Sequence, residues 1–337
     1  MELRAPRPAA RLSALAALLL AAVAVAGCRD EAADKGAVHA PAQGPGHWER
    51  RAAIPTPRSE VAVAALGGRV HVLGGFGGFG GRTRAHEAYD PAGDRWEALA
   101  ELPRPLNHAG AAAFGGRLYV LGGFDTASGA PVADVSAWDP ATDAWTRQPP
   151  MPTARGALGV AVVGGLIYAV GGVGAERRDV GATEVFDPAA GTWRALAPMP
   201  TPRDHLGVAA LDGKVHAVGG RLGSFARNLA VHEVYDPAAD RWAPGSPLPT
   251  ARSGVAAVVG GGRLLVMGGE GPEGTFNENE GFDPAGGRWA TYAGMPTARH
   301  GIGAAEVGGV VYVPSGGPTP GGSQIEVNEA FTLGPGR

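Results

Sequence analysis

Short apolar runs punctuated by glycine recur along the chain at a nearly constant interval. Val70-His71-Val72-Leu73, Leu118-Tyr119-Val120-Leu121, Ile167-Tyr168-Ala169-Val170, Val215-His216-Ala217-Val218, Leu264-Leu265-Val266-Met267 and Val311-Tyr312-Val313 each lead into a Gly-Gly doublet. The doublets begin at Gly74, Gly122, Gly171, Gly219, Gly268 and Gly316, with intervals of 48, 49, 48, 49 and 48 residues. Runs this short, bounded by glycine on both sides, predict strands rather than helices. A fixed period of this length predicts one supersecondary unit repeated in space. A second run of small apolar residues, such as Val61-Ala62-Val63-Ala64-Ala65-Leu66, precedes each doublet run and predicts a further strand.

Other columns fall into register on the doublets. An aromatic follows at Tyr89, Trp138, Phe186, Tyr235, Phe282 and Phe331, and Asp-Pro comes directly after the first five. Seven residues beyond those five stand Trp96, Trp145, Trp193, Trp242 and Trp289. Asp-Pro followed by small residues is turn chemistry, so the aromatic and its tryptophan are expected on two strands of one hairpin. The set resembles the kelch repeat, marked by a Gly-Gly pair, a spaced Tyr and a spaced Trp, over residues 48–331. The resemblance implies an all-β, six-bladed kelch β-propeller with four-stranded blades, over residues 47–333. The last unit stops at its third strand, and Trp48 stands at the tryptophan spacing ahead of Gly74. The N-terminal strand around Trp48 is therefore expected to close the last blade and remove the open edge.

Two charged columns run through the units. Arg58, Leu106, Arg155, Arg203 and Arg252 precede the doublets by a fixed interval, and Arg299 joins them if one residue is inserted near Pro314. Two residues before each aromatic lie Glu87, Ser136, Glu184, Glu233, Glu280 and Glu329, so the second unit lacks both partners. Strands one and three lie roughly 9.6 Å apart, and only the side-chain-free doublet leaves room to cross strand two. A partly buried, bidentate Arg–Glu pair within each blade is the expectation. The alternative is a ring of arginines that binds an acidic ligand.

The first 27 residues are of another kind. Arg4, Arg7 and Arg11 precede an apolar stretch from Leu12 to Ala26, the layout of an export signal. It ends in Val25-Ala26-Gly27-Cys28, which resembles the lipobox of bacterial lipoproteins and implies cleavage before Cys28 and lipidation there. Cys28 is the only cysteine, so no internal disulfide competes for it. Residues 28–46 then read as a flexible tether, and the protein is expected at the bacterial cell envelope, anchored by lipid and monomeric. Without residues 1–27 the chain carries 26 basic and 31 acidic residues, a net charge of −5. With no basic run, nucleic acid is excluded as a partner.

The ligand is expected on loops positioned by one face of the ring, as in kelch proteins generally. Carried onto this chain, that face comprises Phe76, Phe124, Val173, Arg221, Glu270 and Pro318 after the doublets. It also comprises Ser59, Glu60, Asn107, His108, Gly156, Ala157, Asp204, His205, Ser253, Gly254, His300 and Gly301 after the arginine column. Polar groups with phenylalanine walls suit a sugar or a peptide better than an apolar cofactor. No cofactor is expected. Nor is a metal, because the histidines come from different units and no His-x-His or His-x-x-x-His pair places two on one element. Copper-radical oxidases of this architecture need a cysteine within the ring, and none is present. Three readings stay open: a protein that binds a carbohydrate, a cell-wall fragment or a protein partner; a sugar mutarotase similar to exported sialic-acid mutarotases, with Glu60, His108, His205 or Glu270 as acid or base; and an envelope scaffold.

Overall fold

The computed structural model describes Glu2, residues 37–77, Gly81 and residues 83–334. The export signal, the lipobox with Cys28 and most of the glycine-rich loop after Phe76 lie outside the described residues. The rest is a six-bladed propeller of four-stranded antiparallel sheets, and among the described residues the only helical turn is the 3-10 segment Phe225–Arg227. Blade 1 runs outward through Ala62–Leu66, Arg69–Leu73, His86–Asp90 and Arg95–Ala98. Blades 2 to 5 repeat that order. Blade 6 takes Ala305–Val307, Val310–Pro314 and Asn328–Thr332 from the C-terminal end and His47–Arg50 from the N-terminal end. In that closing strand Trp48 stands opposite Phe331, so the expected closure is present.

Packing follows the columns. Each aromatic faces its tryptophan directly across the outer hairpin, as Tyr89 faces Trp96 and Phe186 faces Trp193. Their rings lie 5.2 and 5.1 Å apart, within the range where aromatic pairs add to area burial. The indole N–H of each tryptophan then donates to a carbonyl of the connection from the preceding blade. Trp96 reaches Ala52 at 2.8 Å, Trp242 reaches Ala197 at 3.0 Å, and Trp48 reaches Ala293 at 2.8 Å. One side chain thus serves both the hairpin and the blade-to-blade contact.

The doublet is the inner seam between blades. Its second glycine donates to the carbonyl of the arginine-column residue of the next blade, from Gly75 to Leu106 at 2.8 Å around to Gly316 to Arg58 at 2.9 Å. Both doublet residues have positive φ, and a Cβ at Gly219 would stand 2.8 Å from the Arg252 carbonyl oxygen. The sixth seam corrects the sequence alignment. Gly316 occupies the second doublet position, Ser315 with φ +65° occupies the first, and no residue is inserted near Pro314. The residue after that doublet is Gly317, which pairs with His300, so Pro318 does not belong with Phe76 and its equivalents.

The charged columns do pair within every blade but the second: Arg58 with Glu87, Arg155 with Glu184, Arg203 with Glu233, Arg252 with Glu280 and Arg299 with Glu329. All five arginine side chains have no exposure, so the ring of ligand-binding arginines is ruled out. The pair is not bidentate. One guanidinium nitrogen meets the glutamate, while another donates to a strand-two carbonyl, as Arg252 does to Val266 at 2.9 Å. The second carboxylate oxygen accepts from a threonine hydroxyl, at Thr56, Thr153, Thr201, Thr250 and Thr297. In blade 2 the three positions hold Arg104, Leu106 and Ser136, and a pocket of about 460 Å3 lies there.

Removing one member strands a buried charge, so Arg252→Leu is expected to cost about 3–5 kcal/mol. Adding Glu280→Ser should restore much of that, because blade 2 folds with Leu and Ser. Urea unfolding followed by tryptophan fluorescence reads both; additive losses would refute the coupling.

Two buried histidine pairs give a second expectation. His71 Nδ1 meets His86 Nε2 in blade 1, and His216 Nδ1 meets His232 Nε2 in blade 4, each at 2.9 Å. Burial pushes His71 down to about 4, His86 to about 3 and His216 to about 4, and lowers His232 too. Unfolded, they titrate near the ordinary value of about 6.5. Below that pH the unfolded chain binds more protons, so this stability is complete above it and is lost as the pH falls toward 4. The urea midpoint should drop between pH 7 and pH 5. Replacing His71 by Tyr and His86 by Val, the residues blade 2 carries at Tyr119 and Val135, should flatten the profile. A pH-independent wild-type midpoint would refute this.

Candidate functional site

Two residues beyond the arginine column, the chain of every blade turns through the left-handed region. Glu60, His108, Ala157, His205, Gly254 and Gly301 have φ of +55°, +54°, +55°, +52°, +67° and +59°. The reason is a closed ring of backbone hydrogen bonds around the axis. Each N–H donates to the carbonyl of the equivalent residue one blade back: Glu60 to Gly301 at 2.7 Å, His108 to Glu60 at 3.0 Å, Ala157 to His108 at 2.9 Å, His205 to Ala157 at 3.1 Å, Gly254 to His205 at 2.9 Å and Gly301 to Gly254 at 3.0 Å. Left-handed residues with a Cβ cost roughly 1–2 kcal/mol each. Here the surrounding ring over-determines them, as is common at functional sites.

Short pairings, two-residue ladders or single bridges, bring the two predicted loop sets together. Ser59 pairs with Phe76, Asn107 with Phe124, Asp204 with Arg221, Ser253 with Glu270, and His300 with Gly317. The side chains converge on Glu60. Its carboxylate lies 3.1 Å from His108 Nε2, 3.9 Å from His205 Nε2 and 3.4 Å from His300 Nδ1. It rests over Gly301, where a Cβ would stand 2.7 Å from Glu60 Oε1. Glu60, His108 and His205 line an axial cavity of about 80 Å3 together with Leu158, Leu206 and Ile302. Beyond it the channel widens to about 290 Å3 between small residues of the innermost strands, such as Ala64, Ala161 and Ala209.

Other predicted residues hold the lining groups. His108 Nδ1 is 2.6 Å from Asn107 Oδ1, and His205 Nδ1 donates to Asp204. Arg221 spans the polar half: Nε to Asp204 at 3.0 Å, Nη1 to Glu270 at 2.6 Å and Nη2 to His205 Nε2 at 2.9 Å. Glu270 also accepts from Gly321 N at 3.1 Å, and His300 Nδ1 lies 3.5 Å from it. The opposite half is aromatic. Half-buried Phe76 and Phe124 flank His108 edge to face, with centroids 5.6 and 5.5 Å away. Ser59 and Ser253 are fully buried beside the short pairings and do not line the cavity.

The electrostatics follow from burial. Burial alone would raise the Glu60 carboxyl, but His108, His300 and His205 hold it well below the usual carboxylate range. Burial pushes His108 down to about 4, against the pull of Glu60. Burial works against charging His300 as well, yet Glu60 and Glu270 raise it. Asp204 is likewise drawn below the usual range against its burial by His205, Asp179 and Arg221. Asp179, which the sequence reading passed over, is pushed up to about 7 by burial and by Asp204. It stands in a variable loop with no repeat column to flag it. Two groups of potential ligand atoms meet at Glu60: Glu60 with His108 and His205, and Glu60 with Glu270 and His300, each within 4.8 Å. Separation in sequence hid both, because the ring brings equivalent positions of distant units to one axis.

The chain matches the KLHDC2/KLHL20/DRC7 Kelch-repeats domain over residues 46–220 and the Kelch motif over residues 202–249. No curated protein matches it. Among solved structures it resembles the structure of YjhT at 19% identity and a TM-score of 0.71, over 84% of this chain and 97% of that one. A likeness at that identity concerns the fold. With one kelch domain spanning more than half of its length, and doublet, aromatic and tryptophan placed as that repeat requires, the chain belongs to the kelch-repeat family.

Proposed function

We propose that this protein binds a neutral carbohydrate at the axial mouth of the ring. The division of that mouth carries the reading: Phe76 and Phe124 on one side of His108, Glu60, His205 and Arg221 on the other. A sugar offers C–H faces to aromatic rings and hydroxyls to carboxylate and imidazole. A neutral sugar suits the site better than an acidic one, since Arg221 is already bound to Asp204 and Glu270. The cavity of about 80 Å3 admits two or three waters at roughly 30 Å3 each, so the sugar ring rests above it on the phenylalanines.

A glycan array followed by calorimetry tests this on the chain beginning at Cys28. Phe76→Ala and Phe124→Ala should each weaken binding about tenfold, the scale of a lost aromatic contact. An array without any sugar bound by the folded protein would leave the protein-partner and scaffold readings in its place.

Sugar mutarotation is a second reading, favoured by the 3.1 Å contact between Glu60 and His108 Nε2. It puts a proton acceptor and an imidazole at one point beside the cavity, as general acid–base catalysis requires. Saturation-transfer NMR should then show faster anomer exchange for the bound sugar, abolished in Glu60→Gln. Unchanged exchange would exclude it.

The same proposal places the propeller at the bacterial cell envelope through a lipid on Cys28, supported by the basic, apolar and Val-Ala-Gly-Cys segments of residues 1–28. Cys28→Ala should move the protein from the membrane fraction to the soluble one. Retention at the membrane would overturn the anchor.

A further inference from the structure

The axial cluster carries more negative charge than its neighbours balance. Glu60, Asp204 and Glu270 have side-chain exposures of 10%, 2% and 3%, and Arg221 is the fixed cation set among them. Beside it, only imidazoles face the remaining negative charge: His108 and His205 at Glu60, and His300 between Glu60 and Glu270. Buried charges are paired or coordinate a metal, because an unpaired one is too costly.

The histidines are arranged as metal ligands are. Metal-bound imidazole as a rule donates its second N–H to a carboxylate or carbonyl oxygen, which fixes the tautomer and aims the free nitrogen. His205 Nδ1 is held this way by Asp204, and His108 Nδ1 by Asn107 Oδ1 at 2.6 Å. Both Nε2 atoms then present lone pairs toward the Glu60 carboxylate, at 3.1 and 3.9 Å. Acceptors facing each other at such distances need a cation or a proton between them. A tetrahedral ion with bonds of about 2.0–2.1 Å sets its ligand atoms about 3.3 Å apart, close to these separations. The second group, with Glu270 and His300, has one imidazole, and its Glu270 carboxylate already accepts from Arg221 Nη1 at 2.6 Å and Gly321 N at 3.1 Å.

We propose that Glu60, His108 and His205 form a divalent transition-metal site on the propeller axis, with the fourth position open to the axial cavity. Imidazole and carboxylate donors in this number suit zinc. Arg221 gives up its contact with His205 Nε2 and keeps Asp204 and Glu270. The three ligands come from three blades and are held in left-handed conformations by the backbone ring, which pre-organises them. Asn107 and Asp204 are positioning residues that act through the imidazoles. The site does not depend on the identity of the sugar.

Calorimetry of untagged, chelator-treated protein with zinc alone tests the assignment, with cobalt(II) as a spectroscopic probe. One zinc per chain is expected, and a visible d–d absorption band with cobalt. His108→Gln and Glu60→Gln should weaken zinc binding at least tenfold, and Asp204→Asn by 10–100-fold, the range for lost outer-shell partners. Arg221→Gln should tighten it, because a competitor for His205 Nε2 is removed and the local charge becomes more negative. A general disturbance of the fold would instead weaken it. No zinc binding by wild type at 100 μM, or equal affinity in Glu60→Gln, would overturn the site. The cobalt band of wild type alone decides the matter should the variants fail to fold.

Discussion

The contact that everything else leans on is the close approach of one blade's doublet to the next blade's main chain. The second doublet residue donates to the carbonyl of the arginine-column residue, and a Cβ on the first doublet glycine would press against that same main chain. In five of the six seams that carbonyl belongs to an arginine whose own side chain is buried against a glutamate, and in the sixth it belongs to Leu106. The ion pair therefore fixes the direction of the strand that enters the channel. Two residues later the same strand makes the left-handed turn that closes the axial ring. Seam, clamp and ring are consecutive consequences of one close contact.

The site uses what that scaffold leaves free. Six equivalent turns surround the axis, and three of them carry Glu60, His108 and His205 while three carry Ala157, Gly254 and Gly301. Ala157 between the two histidines, and Gly254 and Gly301 on the way back to Glu60, give the larger side chains room to meet. Asn107 and Asp204 orient the histidines, and Arg221 ties Asp204 to Glu270. Low exposure then makes each charge depend on its neighbours, since an ion removed from water has only those partners. Phe76 and Phe124 are spared this constraint and leave an apolar flank beside a charged one. A mouth divided in that way selects for an amphipathic ligand such as a sugar.

Periodicity made the fold legible. The doublets, the aromatic and tryptophan columns and the displaced Trp48 predicted the blades and their closure, because each records a contact that every unit repeats. The Arg–Glu pairing was legible for the same reason, although its geometry was not. The threonine that takes the second carboxylate oxygen is a column too, at Thr56, Thr153, Thr201, Thr250 and Thr297, and it fails in blade 2 together with its partners. The misplaced sixth doublet has an equally local cause. Ser315 adopts the conformation that glycine holds elsewhere, its hydroxyl reaching the Arg58 carbonyl, so identity of residue type misled where position did not.

The sequence by itself determined the repeat, the number of blades, the pairing of strands within them and the face on which unlike residues gather. Those follow from short-range chemistry: turn residues, alternation and the absence of a side chain where main chains must touch. Only the tertiary structure decided which of the unlike residues meet. Glu60, His108, His205, Glu270 and His300 lie up to 240 residues apart in the chain. Ring closure alone sets equivalent positions of separate units a few ångströms apart around one axis, where burial turns ordinary acids and bases into a coupled cluster.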